Sequence, residues 1–359
     1  MLPARAPSKT LALEKSWNNM GIYESKEINE MQEHISLALS HVIDTYITSY
    51  PPKFQQQITY QLGLEKERQY SLNRGKRLRP LFVLLSYSLF ESNWQKALPG
   101  AAAVELLHNF SLVHDDIQDG SETRRGRDSV WKIWGIPQAI NAGDALLNLA
   151  YLSIFDLQGS ISDNRLNSIV MSLQKTCLEL TNGQYLDMSF EFESSISIDE
   201  YLHMIEGKTA SLLSVCFKVG AIIAEAEREE ENKLTEAGRL LGLAFQIQDD
   251  YLGIWGNEKQ TGKSVYTDLM NRKKTLPIIM GINSKGEFSK YWNQSKDLTL
   301  SEAKILADLL DQDNIKERVI QEYQSLYEKV LEKIDSLSID HQRSHILRTI
   351  IQTLEKRDK

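Results

Sequence analysis

Two aspartate runs sit inside apolar, helix-forming sequence, and that placement is the strongest constraint on how this chain can fold. The first, Asp115-Asp116-Ile117-Gln118-Asp119, follows AAAVELLHNFSLVH; the second, Asp249-Asp250-Tyr251-Leu252-Gly253, follows LLGLAFQIQ. Carboxylates are too costly to bury without compensation, so each run needs a cation. On a helix Asp115 and Asp119 share a face. They stand roughly 6 Å apart along the axis at about 1.5 Å per residue. Oxygen ligands so spaced suit hard divalent ions. Magnesium fits best, because it takes one or two carboxylates and completes its shell with substrate phosphates.

The rest of the sequence predicts helix almost throughout. Alternating β-branched runs are scarce, and only eight prolines and nineteen glycines interrupt 359 residues. Helices are expected over 28–50, ended by Pro51-Pro52, over 80–90, 101–118, 139–157, 165–190 and 233–251, and from Tyr201 onward. Ser197-Ile198-Asp199-Glu200 reads as an N-terminal cap for the last of these. Residues 257–271 read as a polar loop, and 299–356 as two or three amphipathic helices broken near Ser336-Leu337-Ser338. No linker or fixed-period repeat divides the chain. The expectation is an N-terminal arm over 1–25 and one all-α domain over 26–359, a single large helical bundle with a central cavity. Sites in such bundles are built from side chains on facing helices, which would set the two aspartate runs opposite each other.

A net charge of −8 argues against general nucleic-acid binding. A chain that handles anionic substrates must then gather its positive charge locally. Arg74-Gly75-Lys76-Arg77-Leu78-Arg79-Pro80 does so just ahead of a helix N-terminus, where free N–H groups add anion affinity. Arg124-Arg125-Gly126-Arg127 follows the first aspartate run, and the arginine fork suits diphosphate. Each basic run alone also reads as a solvated turn. Lys208-Thr209 and Lys263 are weaker signals. His108 and His114 read equally as core imidazoles with satisfied hydrogen bonds. Cys177 and Cys216 read as buried thiols, with neither a disulfide framework nor a zinc site. No stretch is long and apolar enough for a membrane span, and the N-terminus lacks a signal-peptide core, so a cytoplasmic location is expected.

Taken in order, Gly-Lys-Arg-x-Arg-Pro, Asp-Asp-x-x-Asp, Arg-Arg-Gly and Phe-Gln-x-Gln-Asp-Asp make the chain resemble the trans-isoprenyl diphosphate synthases, or polyprenyl synthetases. The resemblance runs from about residue 70 to 280 (order and spacing of the four blocks). VELLHNFSLVHDDIQD and DDYLGIWG resemble bacterial geranylgeranyl diphosphate synthases most closely. It implies an isoprenoid-synthase-type all-α bundle, a homodimer, and two or three Mg2+ ions per site. Asp115, Asp116 and Asp119 would hold magnesium against an allylic diphosphate, with Asp249 and Asp250 holding magnesium on its far side. Arg124, Lys208 and Lys263 would contact that diphosphate. Gly75, Lys76, Arg79, His108 and Arg125 would bind isopentenyl diphosphate. Thr209 and Gln246 would line the reacting carbons, and Asp187 of Gly183-Gln184-Tyr185-Leu186-Asp187 would support them.

The implied reaction ionises an allylic diphosphate (dimethylallyl, geranyl or farnesyl), adds isopentenyl diphosphate to the cation, and loses a proton. Preorganised charge at the leaving group is its main requirement. Two positions depart from the family pattern. Gly253 stands where many relatives have a third aspartate, and Asp128-Ser129 stands where Pro-Thr is usual. Phe110 lies roughly 7.5 Å below Asp115 on the helix, where a ring would floor the product cavity while Ser111 leaves room. That arrangement suggests geranylgeranyl diphosphate as product. A farnesyl diphosphate synthase, a terpene cyclase on the same scaffold, and a regulatory subunit are the alternatives.

Overall fold

Proline sets where several helices begin. Pro52, Pro99, Pro137 and Pro277 each occupy the first turn of a helix, where a missing N–H costs nothing. The structure, a computed structural model, describes residues 26–64, 75, 77–256, 266–294 and 298–357. In chain order its helices are α1 (Lys26–Tyr46), α2 (Pro52–Leu62), α3 (Leu78–Ser88), α4 (Leu98–Gln118), α5 (Val130–Trp134), α6 (Ile136–Phe155), α7 (Asp163–Phe190) and α8 (Ile198–Ile205). A π turn, Glu206–Ala210, joins α8 to α9 (Ser211–Ile223). There follow α10 (Arg228–Trp255), α11 (Thr267–Met270), α12 (Leu276–Asn283), α13 (Glu287–Gln294), α14 (Leu300–Gln312), α15 (Ile315–Asp335) and α16 (His341–Glu355). Among the described residues the only sheet is a two-stranded hairpin, Thr123–Arg124 with Arg127–Asp128.

The caps follow the sequence. Ser197 and Glu200 form a reciprocal capping box at the start of α8, and Thr299 with Glu302 repeats it at α14. The first helix stops at Tyr46 rather than Tyr50, and the chain turns through 47–50 before Pro52 opens α2. The C-terminal stretch resolves into three helices, α14 to α16. Of the expected polar loop, 257–265 lies outside the described residues, and Thr267–Met270 is a single helical turn. The expected N-terminal arm, 1–25, also lies outside them.

Helix α4 is the axis of the bundle. Every residue from Gly100 to Asn109 is buried, as its small apolar composition predicts. Side chains press closely on glycine backbone around it. A Cβ at Gly143 of α6 would come 2.3 Å from His114 Nε2, and one at Gly100 would come 2.7 Å from Ile223 Cδ1. The buried apolar side chains form one contiguous cluster from Ile28 on α1 to Leu354 on α16. Cys216 is buried and Cys177 half-buried, and both thiols are free. No helix among the described residues is long and apolar enough to cross a membrane.

Candidate active site

Helices α4 and α10 bring the two aspartate runs to one cavity. Its lining includes Asp115 and Asp119 from the first run, Asp249 and Asp250 from the second, and Arg79, His108, Ser111, Arg124, Asp187, Lys208, Thr209 and Gln246. A larger groove, about 520 Å3 against about 180 Å3, lies on the outer side of the π turn. It gathers none of the residues singled out from the sequence, so the inner cavity is the site.

The aspartates are not equivalent. Asp116 is buried and turned onto Arg124, whose Nε donates to Oδ1 at 3.0 Å and Oδ2 at 3.2 Å, with Nη2 closer still. Asp250 is held by three donors: Tyr201 Oη at 2.6 Å, Gln246 Nε2 at 2.9 Å and the Leu276 N–H at 3.3 Å. Asp115 is half-buried and faces the cavity. Burial pushes its carboxyl up to about 7, with Lys208 pulling the other way and Asp119 adding to the rise. Burial likewise outweighs Arg124 and leaves Asp116 above the ordinary carboxylate range. Asp119 caps α4, its N–H donating to the Asp115 carbonyl at 2.8 Å, so the two keep the one-turn spacing of a helix face.

The basic residues form a second wall. The hairpin after α4 turns through Arg125 and Gly126, both at positive φ, as a tight two-residue connection requires. It sends Arg124 back to Asp116 and lays the Arg125 guanidinium on Gly75, where a Cβ would come 2.8 Å from Arg125 Cζ. Gly75 itself has φ +69. Arg79 Nη1 and His108 Nε2 are 3.3 Å apart. Burial, then Arg79, Arg125 and Arg124, hold the His108 imidazole well below its usual value. Four of the five residues implied for isopentenyl diphosphate therefore lie together; the fifth, Lys76, and also Lys263, lie outside the described residues.

A third group comes from the π turn. Lys208 pairs with Asp187. Burial lowers the Lys208 ammonium, but Asp187, Asp115 and Asp119 more than offset this and leave it above its ordinary value. Thr209 Oγ1 donates to Gln246 Oε1 at 2.9 Å, and Gln246 in turn donates to Asp250. The turn is fixed from behind by α7. A Cβ at Gly183 would come 2.2 Å from the Lys208 nitrogen, and one at Gly207 would come 2.7 Å from the Glu179 carbonyl. Single π turns inside helices recur at functional sites.

Phe110 is half-buried, its ring edge-on to His114 at 4.9 Å between centroids, and is not among the residues lining the cavity; Ser111 is. At Gly253 a Cβ would come 2.1 Å from Asp268 Oδ2. The buried Asp268 carboxylate thus occupies the space that a side chain at position 253 would need. Several lining residues escaped the sequence reading: Tyr201, Lys273, Lys274 and the apolar Leu112, Leu180, Met204, Ile205, Leu212 and Phe245. Arg357, after α16, forms an ion pair with Asp249, its Nη2 2.8 Å from Oδ1.

Divalent cations fit this donor set. Asp115, Asp119 and Asp249 present hard oxygen atoms to one cavity, and burial raises the Asp115 carboxyl to about 7, a penalty that a bound cation would relieve. No three His, Cys, Asp or Glu side chains among the described residues converge on one point.

The polyprenyl synthetase profile matches residues 63–312. The chain belongs to the polyprenyl synthetase family. Over 237 residues, 66% of this chain and 65% of the relative, it is 42% identical to a (2E,6E)-farnesyl diphosphate synthase of Mycobacterium tuberculosis. Over 287 residues, 77% of this chain and 83% of the relative, it is 35% identical to a geranylgeranyl diphosphate synthase of Methanosarcina mazei. The match thus spans slightly less than two thirds of the mycobacterial protein. Among solved polyprenyl synthetases, the geranylgeranyl pyrophosphate synthetase of Pyrococcus horikoshii superposes with a TM-score of 0.82 at 30% identity, covering 92% of this chain and 97% of that one.

Proposed function

We propose that this polyprenyl synthetase is a magnesium-dependent trans-prenyltransferase that condenses isopentenyl diphosphate with an allylic prenyl diphosphate. The observation that carries this is one cavity with acidic groups on facing helices, Asp115 and Asp119 opposite Asp249 and Asp250, beside the basic ledge of Gly75, Arg79, His108 and Arg125. Magnesium, two or three ions per site held by Asp115, Asp119 and Asp249, would supply charge neutralisation at the leaving diphosphate.

The protein's own groups do the rest. Arg124, Lys208 and Lys263 orient the allylic diphosphate and stabilise charge as its C–O bond breaks. Arg79, Arg125, Lys76 and His108 hold isopentenyl diphosphate, whose double bond supplies the electron pair for the new C–C bond. A proton then leaves the adjacent carbon for the released pyrophosphate. The Thr209–Gln246 pair faces the reacting carbons, and Leu112, Leu180, Met204, Ile205, Leu212 and Phe245 exclude water from the carbocation.

The product is geranylgeranyl diphosphate in this reading, with Phe110 limiting chain length; farnesyl diphosphate is the second reading, because relatives of both names align with the chain. The ledge for isopentenyl diphosphate disfavours a cyclase, which would not need it. A homodimer is supported by apolar side chains exposed at one-heptad spacing on α7, Met171, Leu178 and Tyr185, together with Ile140, Leu152 and Phe155 on α6. Incubation with Mg2+, labelled isopentenyl diphosphate and each allylic primer, with products sized by chromatography, tests the activity. Isopentenyl diphosphate left unconsumed with every primer would refute it.

A further inference from the structure

Asp249 faces the cavity with a positive charge directly behind it. The Arg357 side chain, whose Nη2 is ion-paired with Asp249 Oδ1 at 2.8 Å, is 1% exposed, and Asp249 itself 12%. Arg357 follows α16 and cannot easily leave. Its Nη2 also donates to the Phe245 carbonyl at 2.8 Å, its Nε to Gln248 Oε1 at 2.6 Å, and its guanidinium lies 4.1 Å from the centre of the Phe245 ring. Gln248 locks the arrangement from the other side. It donates to the Glu355 carbonyl at 2.9 Å and accepts from Tyr327 Oη at 2.9 Å. The remaining nitrogen, Arg357 Nη1, is buried without a hydrogen-bond partner among the described residues. A guanidinium so desolvated is costly unless a nearby negative charge offsets it, and Asp249 is the carboxylate within ion-pair distance.

The first acidic run is built the same way, with Arg124 behind Asp116. Each run therefore has one arginine-backed carboxylate. The difference is that Asp116 is turned away from the cavity, whereas Asp249 lines it. We propose that Arg357 is a positioning residue for the second acidic run: a resident counter-charge that aims Asp249 at the cavity and lets the run fold before a divalent cation arrives. The chain's C-terminal turn is then a structural part of the metal site. The proposal rests on the reading that Asp249 binds metal.

Thermal unfolding of the full-length protein, with and without saturating Mg2+, tests this in wild type, Arg357→Met, Arg357→Lys, Asp249→Asn and the Asp249→Asn/Arg357→Met double variant. Arg357→Met removes the buried counter-charge behind Asp249, so its metal-free melting temperature is expected to fall by roughly 5 °C or more. Mg2+ then supplies the missing charge, so its stabilising shift is larger than in wild type. Arg357→Lys keeps the charge and a wild-type Mg2+ shift. In the Asp249→Asn background Arg357→Met costs much less. A loss of equal size with and without Mg2+, and in both backgrounds, would mean that Arg357 only fills space and would overturn the proposal. Should Arg357→Met fail to fold, rescue by added Asp249→Asn supports the counter-charge and failure of the double variant overturns it. If wild type shows no Mg2+ shift, the metal reading fails, while the comparison of backgrounds still decides the counter-charge.

Discussion

Arg124 clasps Asp116 with its Nε and Nη2 across eight residues, both side chains buried, whereas Asp115 next to it faces the open cavity. Adjacent aspartates of one run thus leave α4 on different sides, one into a buried ion pair and the other into the cavity.

Substitution should separate the two. Asp115→Asn removes a carboxyl that burial has already pushed up to about 7, so stability should hold or rise while turnover falls by roughly 10²-fold or more. Asp116→Asn leaves the Arg124 guanidinium buried beside a neutral amide, which costs about 3 kcal/mol. Chemical denaturation and steady-state kinetics on both variants check this; equal stability losses would contradict the division.

Acidification should expose His108. Its folded-state pKa lies well below the ordinary 6.5, so below that pH the unfolded chain takes up a proton that the folded one refuses. The stability tied to this group is therefore complete above about 6.5 and declines as pH falls through it, by at most about 1.4 kcal/mol per unit. Asp115 works in the opposite sense, because a raised carboxyl is relieved of its penalty as pH falls through about 7. Unfolding free energies between pH 7.5 and 5.5 should drop more steeply for wild type than for His108→Asn; parallel curves would mean that the imidazole titrates normally.

Gly183→Ala should damage the site from a distance. The new methyl would meet the Lys208 backbone nitrogen at 2.2 Å, and overpacking of this kind costs about 1–3 kcal/mol. The π turn must shift, carrying Lys208 and Thr209 with it. Melting temperature and kcat should fall together; a variant with full kcat would show that the turn's position is not critical.

Phe110→Ala should lengthen the product if the ring floors the cavity. The ring stands edge-on to His114, while its neighbour Ser111 lines the cavity. Chromatographic sizing of products checks this, and an unchanged product distribution would reject Phe110 as the limit.

Much of this was legible in the sequence because it is local. Apolar spacing marked the helices, Ser197 and Glu200 marked the α8 cap, and the two aspartate runs marked carboxylates that one cavity gathers. What escaped depends on distant partners. Arg357 sits in the charged tail Glu-Lys-Arg-Asp-Lys, where nothing distinguishes a buried arginine from a solvated one. Tyr201 reads as one more apolar helix residue until α8 brings it to Asp250. The π turn carries no periodic signature, because one extra residue per turn over five positions is too short to shift an apolar pattern.

The most direct test of the central claim, that one cavity holds two diphosphates on opposite walls, is a crystal structure of the protein with Mg2+, a non-ionisable allylic diphosphate analogue and isopentenyl diphosphate. The expected result places the allylic diphosphate and its metal between Asp115, Asp119 and Asp249, with isopentenyl diphosphate against Gly75, Arg79, His108 and Arg125. Density for isopentenyl diphosphate anywhere else, or metal bound away from both aspartate runs, would contradict the account.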